Sequence, residues 1–525
     1  MAFNEQEEAK VKELLEAYEN AKRINDLEPA NGELSAMRIE VMDSSGETRS
    51  MELERAVAEA GNPVAGRWWD KTLATTKAGG WHGSLDALRQ LPATLGLGRY
   101  LVTDDRQMRK LDPLGSQRFE DGSPAALDGS MGQCMWCWSR GWYFTLWSEG
   151  NREYWDITLK PIPGKKSIYI PAGGTSWLGA GVMDRTTQML CSVISDDERY
   201  RGGSGVSRGD ANENHPGLDT PQVTMLGMPA TAISTTNFGA YARKRGEGWE
   251  ANWFVAQAAV QILLAVIMGE RNMQAAYNPE KDADGLYQGG FGAGVTTMSD
   301  ADWNKYNGYY PLVPTSVGVD MGDRTGLVEY SIPASANAED QTVPARTFQV
   351  PCFFGLMHAG FGNLWRWVRG LIISLRENET AEVFVARSLY AGYDPNSTEG
   401  MIKVAEMPTT AGYIKRISME GLCCIPTEVG GSSVTYFADW LYRNPPETVG
   451  LRVRAAGGSA NNGTNAGPFA TNTNNTATTA NANYSSPLNI TLIIYCDSGA
   501  GPCHLAKDDT NKAHGCRLIA PGGRR

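Results

Sequence analysis

GGSANNGTNAGPFATNTNNTATTANANYSS, which runs from Gly457 to Ser486, is the stretch of sequence on which the assignment of the fold depends. It consists almost entirely of Asn, Thr, Ala, Gly and Ser, and its only larger side chains are Pro468, Phe469 and Tyr484. A segment of this composition buries too little apolar surface to offset the entropy lost on ordering, which is typical of a flexible linker. The alternative is a folded surface whose side chains are meant to change.

The residues on either side favour the folded surface. LRVRA (451–455) precedes the segment and LNITLIIY (488–495) follows it, and both have the apolar pattern of strands. Phe469 lies midway, where a linker has no need of an aromatic side chain. We therefore interpret residues 457–486 as part of a folded domain.

Further upstream, the patterns indicate an α+β protein. WYFTLWSEGNREYWDITL (142–159) alternates on both sides of a Gly-Asn turn and predicts a β-hairpin. WFVAQAAVQILLAVIMG (253–269) has 17 residues and contains Gln257 and Gln261. A membrane span needs ~20 apolar residues, so this segment predicts a buried helix, which we expect to continue to about Gln274.

Composition and the spacing of apolar residues divide the sequence into three regions. Residues 5–24 place Val11, Leu14, Tyr18 and Ala21 on a seam, which predicts a short coiled coil or an ordinary surface helix. The following sequence is polar and interrupted by glycines, and from about Arg99 short Trp-rich strands begin. The predicted regions are an N-terminal helix at 1–30, an attachment or connecting region at 31–130, and an elaborated domain at 131–525 with a variable segment at about 436–486.

Charge and targeting signals exclude several classes of protein. The net charge is −11 at pH 7, whereas nucleic-acid binders carry clustered Lys and Arg, so we expect no nucleic-acid partner. The N-terminus has no basic stretch followed by an apolar run. We therefore expect synthesis in the cytoplasm without membrane insertion. The nine cysteines are scattered, which predicts mostly reduced, buried thiols.

No pattern of reactive residues predicts an enzyme, a metal site or a cofactor. The five histidines lack the spacing of a zinc-binding helix, and the GxSxG motif is absent. Cys134 and Cys137 form a CxxC, but it lies in a Trp-rich strand and predicts packed cysteines. The C-terminal group could ligate a metal, but its spacing matches no reliable ligand pattern; its members are Cys496, Cys503, His504, His514 and Cys516.

The opening segment resembles the variable regions of proteins diversified by diversity-generating retroelements. In that family, segments of the form GG-x-x-x-NG-x-NAG-x-F-x-x-N-x-NN lie on a C-type lectin fold. The matching positions are Gly457, Gly458, Asn462, Gly463, Asn465, Ala466, Gly467, Phe469, Asn472, Asn474 and Asn475. Four further segments are also similar to this family: PATAISTTNFGAYARKRG (229–246), GERNMQAAYNPE (269–280), FFGLMHAGFGNLWRWVRG (353–370) and GCRLIAPGG (515–523).

The composition agrees with the mechanism that the resemblance implies. In this family, error-prone copying of template adenines changes Asn codons into others that keep a third-position pyrimidine. Such codons cannot encode Lys, Glu, Gln, Met or Trp, and none of these five residues occurs from Thr448 to Ala506. A low-complexity linker could show the same absence.

The resemblance implies a C-type lectin fold, of the variant shared with formylglycine-generating enzymes, and a ligand-binding face made of the variable slots. Trp440 cannot arise from an Asn codon by this route, so we treat it as fixed. The slots that we predict to bind ligand are Tyr436, Asp439, Tyr442, Ser459, Ala460, Asn461, Thr464, Pro468, Ala470, Thr471 and Thr473.

The function implied by the resemblance is that of a bacteriophage receptor-binding or tail-fibre protein. We expect a homotrimer on the virion, joined to other tail proteins, that binds a protein or glycan on the bacterial surface. Three alternatives stay open: a structural virion protein such as a collar or fibre element, a diversified host protein displayed on the cell surface, and an oxidase similar to formylglycine-generating enzymes. The oxidase needs a reactive cysteine pair, for which Cys423–Cys424 and Cys496–Cys503 are the candidates.

Overall fold

The computed structural model describes residues 38–42, 48–52, 61–195, 197–200, 229–299, 313–332, 335–336, 342–343, 345–388 and 393–492. The predicted N-terminal helix at 1–30 lies outside the described residues. So do residues 515–523 and the cysteines and histidines between Cys496 and Cys516.

Strands are the commonest regular element, at 39% of the structure against 13% helix. The strands are β1 Arg38–Met42, β2 Thr48–Glu52, β3 Ala65–Asp70, β4 Gly80–Gly83, β5 Gly98–Val102, β6 Met108–Asp112, β7 Gly115–Phe119, β8 Gln133–Trp138, β9 Trp142–Glu149, β10 Arg152–Thr158, β11 Ser167–Ile170, β12 Gly173–Ser176, β13 Val182–Asp184, β14 Met189–Cys191, β15 Trp249–Ala251, β16 Gly326–Ile332, β17 Ser335–Ala336, β18 Thr342–Val343, β19 Arg346–Phe353, β20 Leu356–Met357, β21 Trp365–Leu375, β22 Ala381–Val385, β23 Ile402–Met407, β24 Gly412–Ser418, β25 Ile425–Val429, β26 Trp440–Tyr442, β27 Gly450–Gly457, β28 Gly467–Asn475, β29 Tyr484–Ser485 and β30 Leu488–Thr491. The α-helices are α1 Leu85–Leu95, α2 Thr235–Arg243 and α3 Phe254–Met268, and 3-10 turns cover Glu198–Tyr200, Val319–Met321, His358–Gly360, Glu420–Leu422 and Gly463–Asn465.

Three large sheets carry the architecture, which is a β-rich α+β fold. A seven-stranded sheet has the order β15-β30-β12-β8-β5-β6-β7, and a five-stranded sheet has the order β11-β9-β10-β3-β4. The third sheet follows β23-β22-β21-β27-β28-β26-β24-β25, with β29 beside β21. Among the described strands, only the β26–β28 and β21–β29 pairs are parallel. A smaller sheet, β16-β19-β20, packs against a core of its own.

Helix α3 lies inside the main core, where it contacts one strand from each large sheet: β10, β12 and β21. All of its residues are buried, as its continuous apolar sequence predicted. The helix ends at Met268 rather than near Gln274, because Gly269 adopts φ 62° and terminates it in the left-handed conformation. No helix in the described part of the chain is long and apolar enough to cross a membrane.

The structure confirms the predicted strands where the sequence alternates clearly between apolar and polar residues or has a short apolar run. β9 and β10 form the predicted hairpin, with Trp142 to Glu149 antiparallel to Arg152 to Thr158. β27 and β30 flank the opening segment as predicted. The CxxC lies in β8, and all six described cysteines are buried free thiols.

The predicted connecting region at 31–130 needs correction for its described part. From residue 61 onward the chain supplies β3, α1 and β5, and Trp69, Leu91 and Leu101 belong to the same core as α3. β5 pairs with β8 across the predicted boundary. The composition misled because β5 is buried at all five residues by its neighbours β6 and β8, although its sequence, GRYLV, is not an apolar run.

A buried ion pair joins β15 of the seven-stranded sheet to β21 of the largest sheet. Arg369 on β21 donates to a Glu250 carboxylate oxygen at 3.0 Å, and both side chains are 1% exposed. The same guanidinium donates to the Thr235 carbonyl at the start of α2. It passes so close to Gly239 that a Cβ there would lie 2.1 Å from Arg369 Cζ, so this helix position must be glycine.

We expect Arg369→Met to lower the free energy of unfolding by about 3–5 kcal/mol, because it leaves the buried Glu250 carboxylate without its buried partner. Arg243→Met is the matched control: Arg243 also pairs with Glu250, at 2.8 Å, but is 44% exposed, so its loss should cost at most about 1 kcal/mol. Denaturant unfolding of both variants gives the comparison. Equal losses would contradict a structural role for the buried pair.

Candidate ligand-binding face

Strand β28 places the opening segment in the middle of the largest sheet. It lies between β27 on one side and β26 on the other. Phe469 packs into the main core, with its ring 5.0 Å from Phe437 and 6.2 Å from Trp155. Ala470 packs into a second core shared with Trp367 and Tyr484. Since both faces of the strand are covered, its first seven residues are all buried.

A three-residue bulge interrupts the pairing of β28. Ala456 pairs with Thr471 while its neighbour Gly457 pairs with Gly467, so residues 468–470 have no partner on β27. Buried backbone groups that lack a sheet partner need another one. Pro468 requires none for its nitrogen, because proline has no N–H to donate.

Side chains from α3, from the segment before β26 and from β28 itself bond to the backbone of this bulge. Gln261 on α3 donates to the Pro468 carbonyl at 2.6 Å. The Asp439 carboxylate accepts from the Phe469 amide at 2.7 Å. The Thr471 hydroxyl donates to the Phe469 carbonyl at 2.9 Å. The opening segment is therefore a strand fixed by the core.

Seven of the predicted ligand-binding slots are buried side chains of this framework. Small residues occupy most of them because neighbouring strands and helices approach closely. The exception, Asp439, accepts a hydrogen bond from the backbone of the bulge. Their role in ligand binding stays a prediction, but none presents a surface to solvent in this chain. The seven are Asp439, Ser459, Ala460, Pro468, Ala470, Thr471 and Thr473.

The other four slots reach solvent. Thr464 is exposed, and Tyr436, Tyr442 and Asn461 are half-buried. Thr464 lies in the 3-10 turn that precedes β28. Backbone groups of this turn are held from outside it: Gln274 donates to the Gly463 and Ala466 carbonyls at 2.9 and 2.6 Å.

Two aromatic side chains extend this accessible area. Tyr413 on β24 lies edge-on to Trp440, with centroids 4.8 Å apart, and Trp440 is 6.3 Å from Tyr442. The Tyr413 hydroxyl is 3.1 Å from the Thr464 hydroxyl. We call Tyr413, Trp440, Tyr442 and Thr464 the tyrosine–tryptophan patch.

The patch combines apolar rings with fixed polar groups. The Tyr442 hydroxyl accepts from the Asn462 and Asn465 side-chain amides, both at 3.2 Å. Burial raises the pKa of Tyr442, so its phenol stays neutral at physiological pH. Partly exposed Tyr and Trp rings give large contact areas at low entropic cost, which suits recognition of another surface.

The sequence did not single out Tyr413, and it marked Trp440 only as fixed. Tyr413 lies 51 residues before Thr464, so their contact depends on the pairing of β24 with β26. The one local signal was the density of aromatic residues between Tyr436 and Tyr442.

The metal-ligating and thiol side chains of the described residues are scattered or buried. They include no group of three His, Cys, Asp or Glu side chains arranged to hold a metal ion. Burial raises the pKa of Cys134 to about 12 and that of Cys423 to about 11, and it also raises the pKa of Cys424. These thiols are therefore protonated, whereas the reactive species is the thiolate.

Comparison with known proteins gives no family: no protein-family model and no curated protein sequence matches this chain.

We expect Thr464→Tyr to change the free energy of unfolding by no more than about 0.5 kcal/mol, because Thr464 is exposed. Ala470→Tyr should cost about 3 kcal/mol or more, because the phenol ring must enter a closed core. Urea denaturation of both variants measures the difference. Equal tolerance at the two positions would show that Ala470 is not confined by its neighbours.

We expect Asp439→Asn to stabilise the protein by about 1–3 kcal/mol at pH 7, since it removes a buried charge and keeps an acceptor for the Phe469 amide. Burial raises the pKa of Asp439 well above its ordinary value. The folded state then binds the proton more tightly than the unfolded state, so the parent loses stability as pH rises through the folded pKa.

The asparagine variant lacks this loss, so its advantage should grow from pH 4 to pH 8 in thermal unfolding. Asp439→Ala is the control: it removes the acceptor and should destabilise the protein at every pH in this range. An advantage of the asparagine variant that shrinks with rising pH would contradict the account.

Proposed function

We propose that this chain is a bacteriophage receptor-binding protein of the tail-fibre type, whose tyrosine–tryptophan patch binds a ligand on the bacterial surface. The observation that carries the proposal is the position of the Gly463–Asn465 turn. This turn belongs to the segment that resembles retroelement-diversified variable regions, and it lies beside Tyr413 and Tyr442 at solvent.

The proposal includes a C-type lectin fold for the domain. Its support comes from the segments that resemble the family. Residues 229–246 form α2 with its buried partner Arg369, and residues 353–370 run from the end of β19 through β20 into β21. Residues 353–370 pack on α3, and buried residues of both segments share the second core with Ala470 of β28.

The framework explains how a binding surface could vary without loss of the fold. The turn is held through its carbonyls by Gln274, and the bulge behind it is held by Gln261 and Asp439. The hydrogen bonds that Gln261 and Gln274 make to the opening segment all go to main-chain carbonyls. Substitution of an exposed side chain such as Thr464 therefore leaves these bonds in place, and surface changes of this kind cost little.

The ligand proposed for the patch is a protein or glycan of the bacterial envelope. Rings at Tyr413 and Trp440 can stack on apolar faces of either kind of ligand, and the nearby hydroxyls can exchange hydrogen bonds with it. Binding energy in such interfaces concentrates in a few Tyr and Trp residues. The small buried slots contribute by fixing the backbone. We also propose that three copies of the chain form a trimer whose N-termini lie toward the virion.

The oxidase alternative is less well supported. Cys423 and Cys424 are buried, and burial raises the pKa of both thiols. Cys424 contacts the sulfur of Met419 rather than a base. The pair Cys496–Cys503 lies outside the described residues.

We expect Trp440→Ala and Tyr413→Ala each to weaken attachment to bacterial cells by about 30-fold, the effect of losing an interface hot spot. The measurement is binding of the fluorescently labelled protein to a panel of strains by flow cytometry. Leu114→Ser is the control, because Leu114 is 72% exposed in the turn between β6 and β7, far from the patch in sequence.

Attachment that is unaffected by both patch variants would remove the patch from the proposed function. Absence of attachment to every strain would favour the structural virion alternative. Thermal unfolding of each variant separates a binding defect from loss of the fold.

A further inference from the structure

The five-stranded sheet carries a second surface with recognition chemistry. Its inner face supplies Trp69 and Trp155 to the main core. On the outer face, Trp68, Tyr154 and Trp147 are register partners on three adjacent strands, β3, β10 and β9. Adjacent strands are ~4.8 Å apart, so the two tryptophans lie roughly 10 Å from each other across the sheet.

Two cations lie over these rings. Arg152 Cζ is 4.1 Å from the centroid of Trp68, and Lys165 Nζ is 3.7 Å from that of Trp147. Trp147 stacks on Tyr154 at 4.2 Å, with 13° between the ring planes. We call these five side chains the cation–aromatic row. Trp68 and Trp147 are half-buried, and both cations are exposed.

A buried carboxylate fixes the middle of the row. Asp156 is fully buried; one of its oxygens lies 2.7 Å from His82 Nδ1, and the other accepts from Trp147 Nε1 at 2.7 Å. His82 reaches Asp156 across Gly66, where an added Cβ would lie 2.1 Å from the carboxylate. His82 is 26% exposed, so its Nε2 is left for solvent or a ligand.

Neither cation is held in a close ion pair by a described residue. Within the described residues, neither Arg152 nor Lys165 has a carboxylate within 4.0 Å. Asp70 and Glu149 are the register partners of Arg152 on the two neighbouring strands. Asp70 accepts hydrogen bonds from Thr72 and interacts with Arg152 only through their opposite charges. The adjacent Lys166, in contrast, pairs with Glu420. The row therefore offers positive charge on a chain whose net charge is −11.

We propose that the cation–aromatic row binds an acidic saccharide, that is, a sugar chain bearing carboxylates. The apolar faces of sugar rings stack on Trp68 and Trp147, while Arg152 and Lys165 pair with carboxylates at two separate points of the chain. His82 Nε2 exchanges a hydrogen bond with a sugar hydroxyl. The site lies on a different sheet from the tyrosine–tryptophan patch and does not depend on the proposed function.

A single-stranded nucleic acid is the competing ligand, because cations interleaved with aromatic rings also bind bases and phosphates. The net charge of −11 opposes a phosphate polymer, which needs many cationic contacts along its length. Two cations outside close ion pairs suit a sparsely charged polymer better.

The test is isothermal titration calorimetry of the full chain at low salt with three probes of matched length: an oligogalacturonate, a neutral maltooligosaccharide and an oligothymidylate. We expect the oligogalacturonate to bind and the other two to bind at least tenfold more weakly. Lys165→Ala and Arg152→Gln should each weaken oligogalacturonate binding about tenfold, as expected for the loss of a charge-assisted contact.

Lys166→Ala is the matched control, because Lys166 is the neighbouring exposed lysine with its own carboxylate partner. It should leave binding unchanged. The proposal is overturned if the oligogalacturonate does not bind at millimolar concentration, if the Lys165 and Arg152 variants bind as the parent does while unfolding at the same temperature, or if the oligothymidylate binds more tightly.

Discussion

The hydrogen bond from Gln261 to the Pro468 carbonyl, 2.6 Å long, is the contact on which the arrangement of this protein depends. It satisfies two groups that would otherwise be costly to bury: an amide on a fully buried helix and a carbonyl in a bulge without a sheet partner. Asp439, which lies outside the strand, accepts from the Phe469 amide of the bulge. The strand with the linker-like composition is therefore held by side chains that lie outside it.

Because β28 is fixed in this way, the opening segment has an enclosed strand and an accessible turn, which tolerate different side chains. Inside the sheet, Ala470 and Thr471 must stay small because two cores meet at the strand. Outside it, the turn that carries Thr464 borders Tyr413 and has room for other side chains. A fixed backbone beside a permissive turn lets binding change independently of folding, which is what a diversified receptor-binding surface requires.

Local patterns in the sequence predicted the β9–β10 hairpin, the start of α3 and the strands that flank the segment, because alternation and apolar runs record burial directly. They did not predict that Ala470 and Thr471 are buried, since that depends on β26 and β27 enclosing β28. The early end of α3 follows from the left-handed conformation of Gly269. The contact between Tyr413 and Thr464 arises from strand pairing across distant sequence, which no local pattern records.

The most direct test of the central claim is deep sequencing of this gene from a population that carries it. We predict substitutions, traceable to template adenines, at the solvent-accessible slots Tyr436, Tyr442, Asn461 and Thr464, with only small residues at Ala470 and Thr471. Trp440 and Gln261 should not vary. A uniform sequence throughout residues 436–486, or bulky residues at the enclosed positions, would contradict a fixed strand that presents a variable turn.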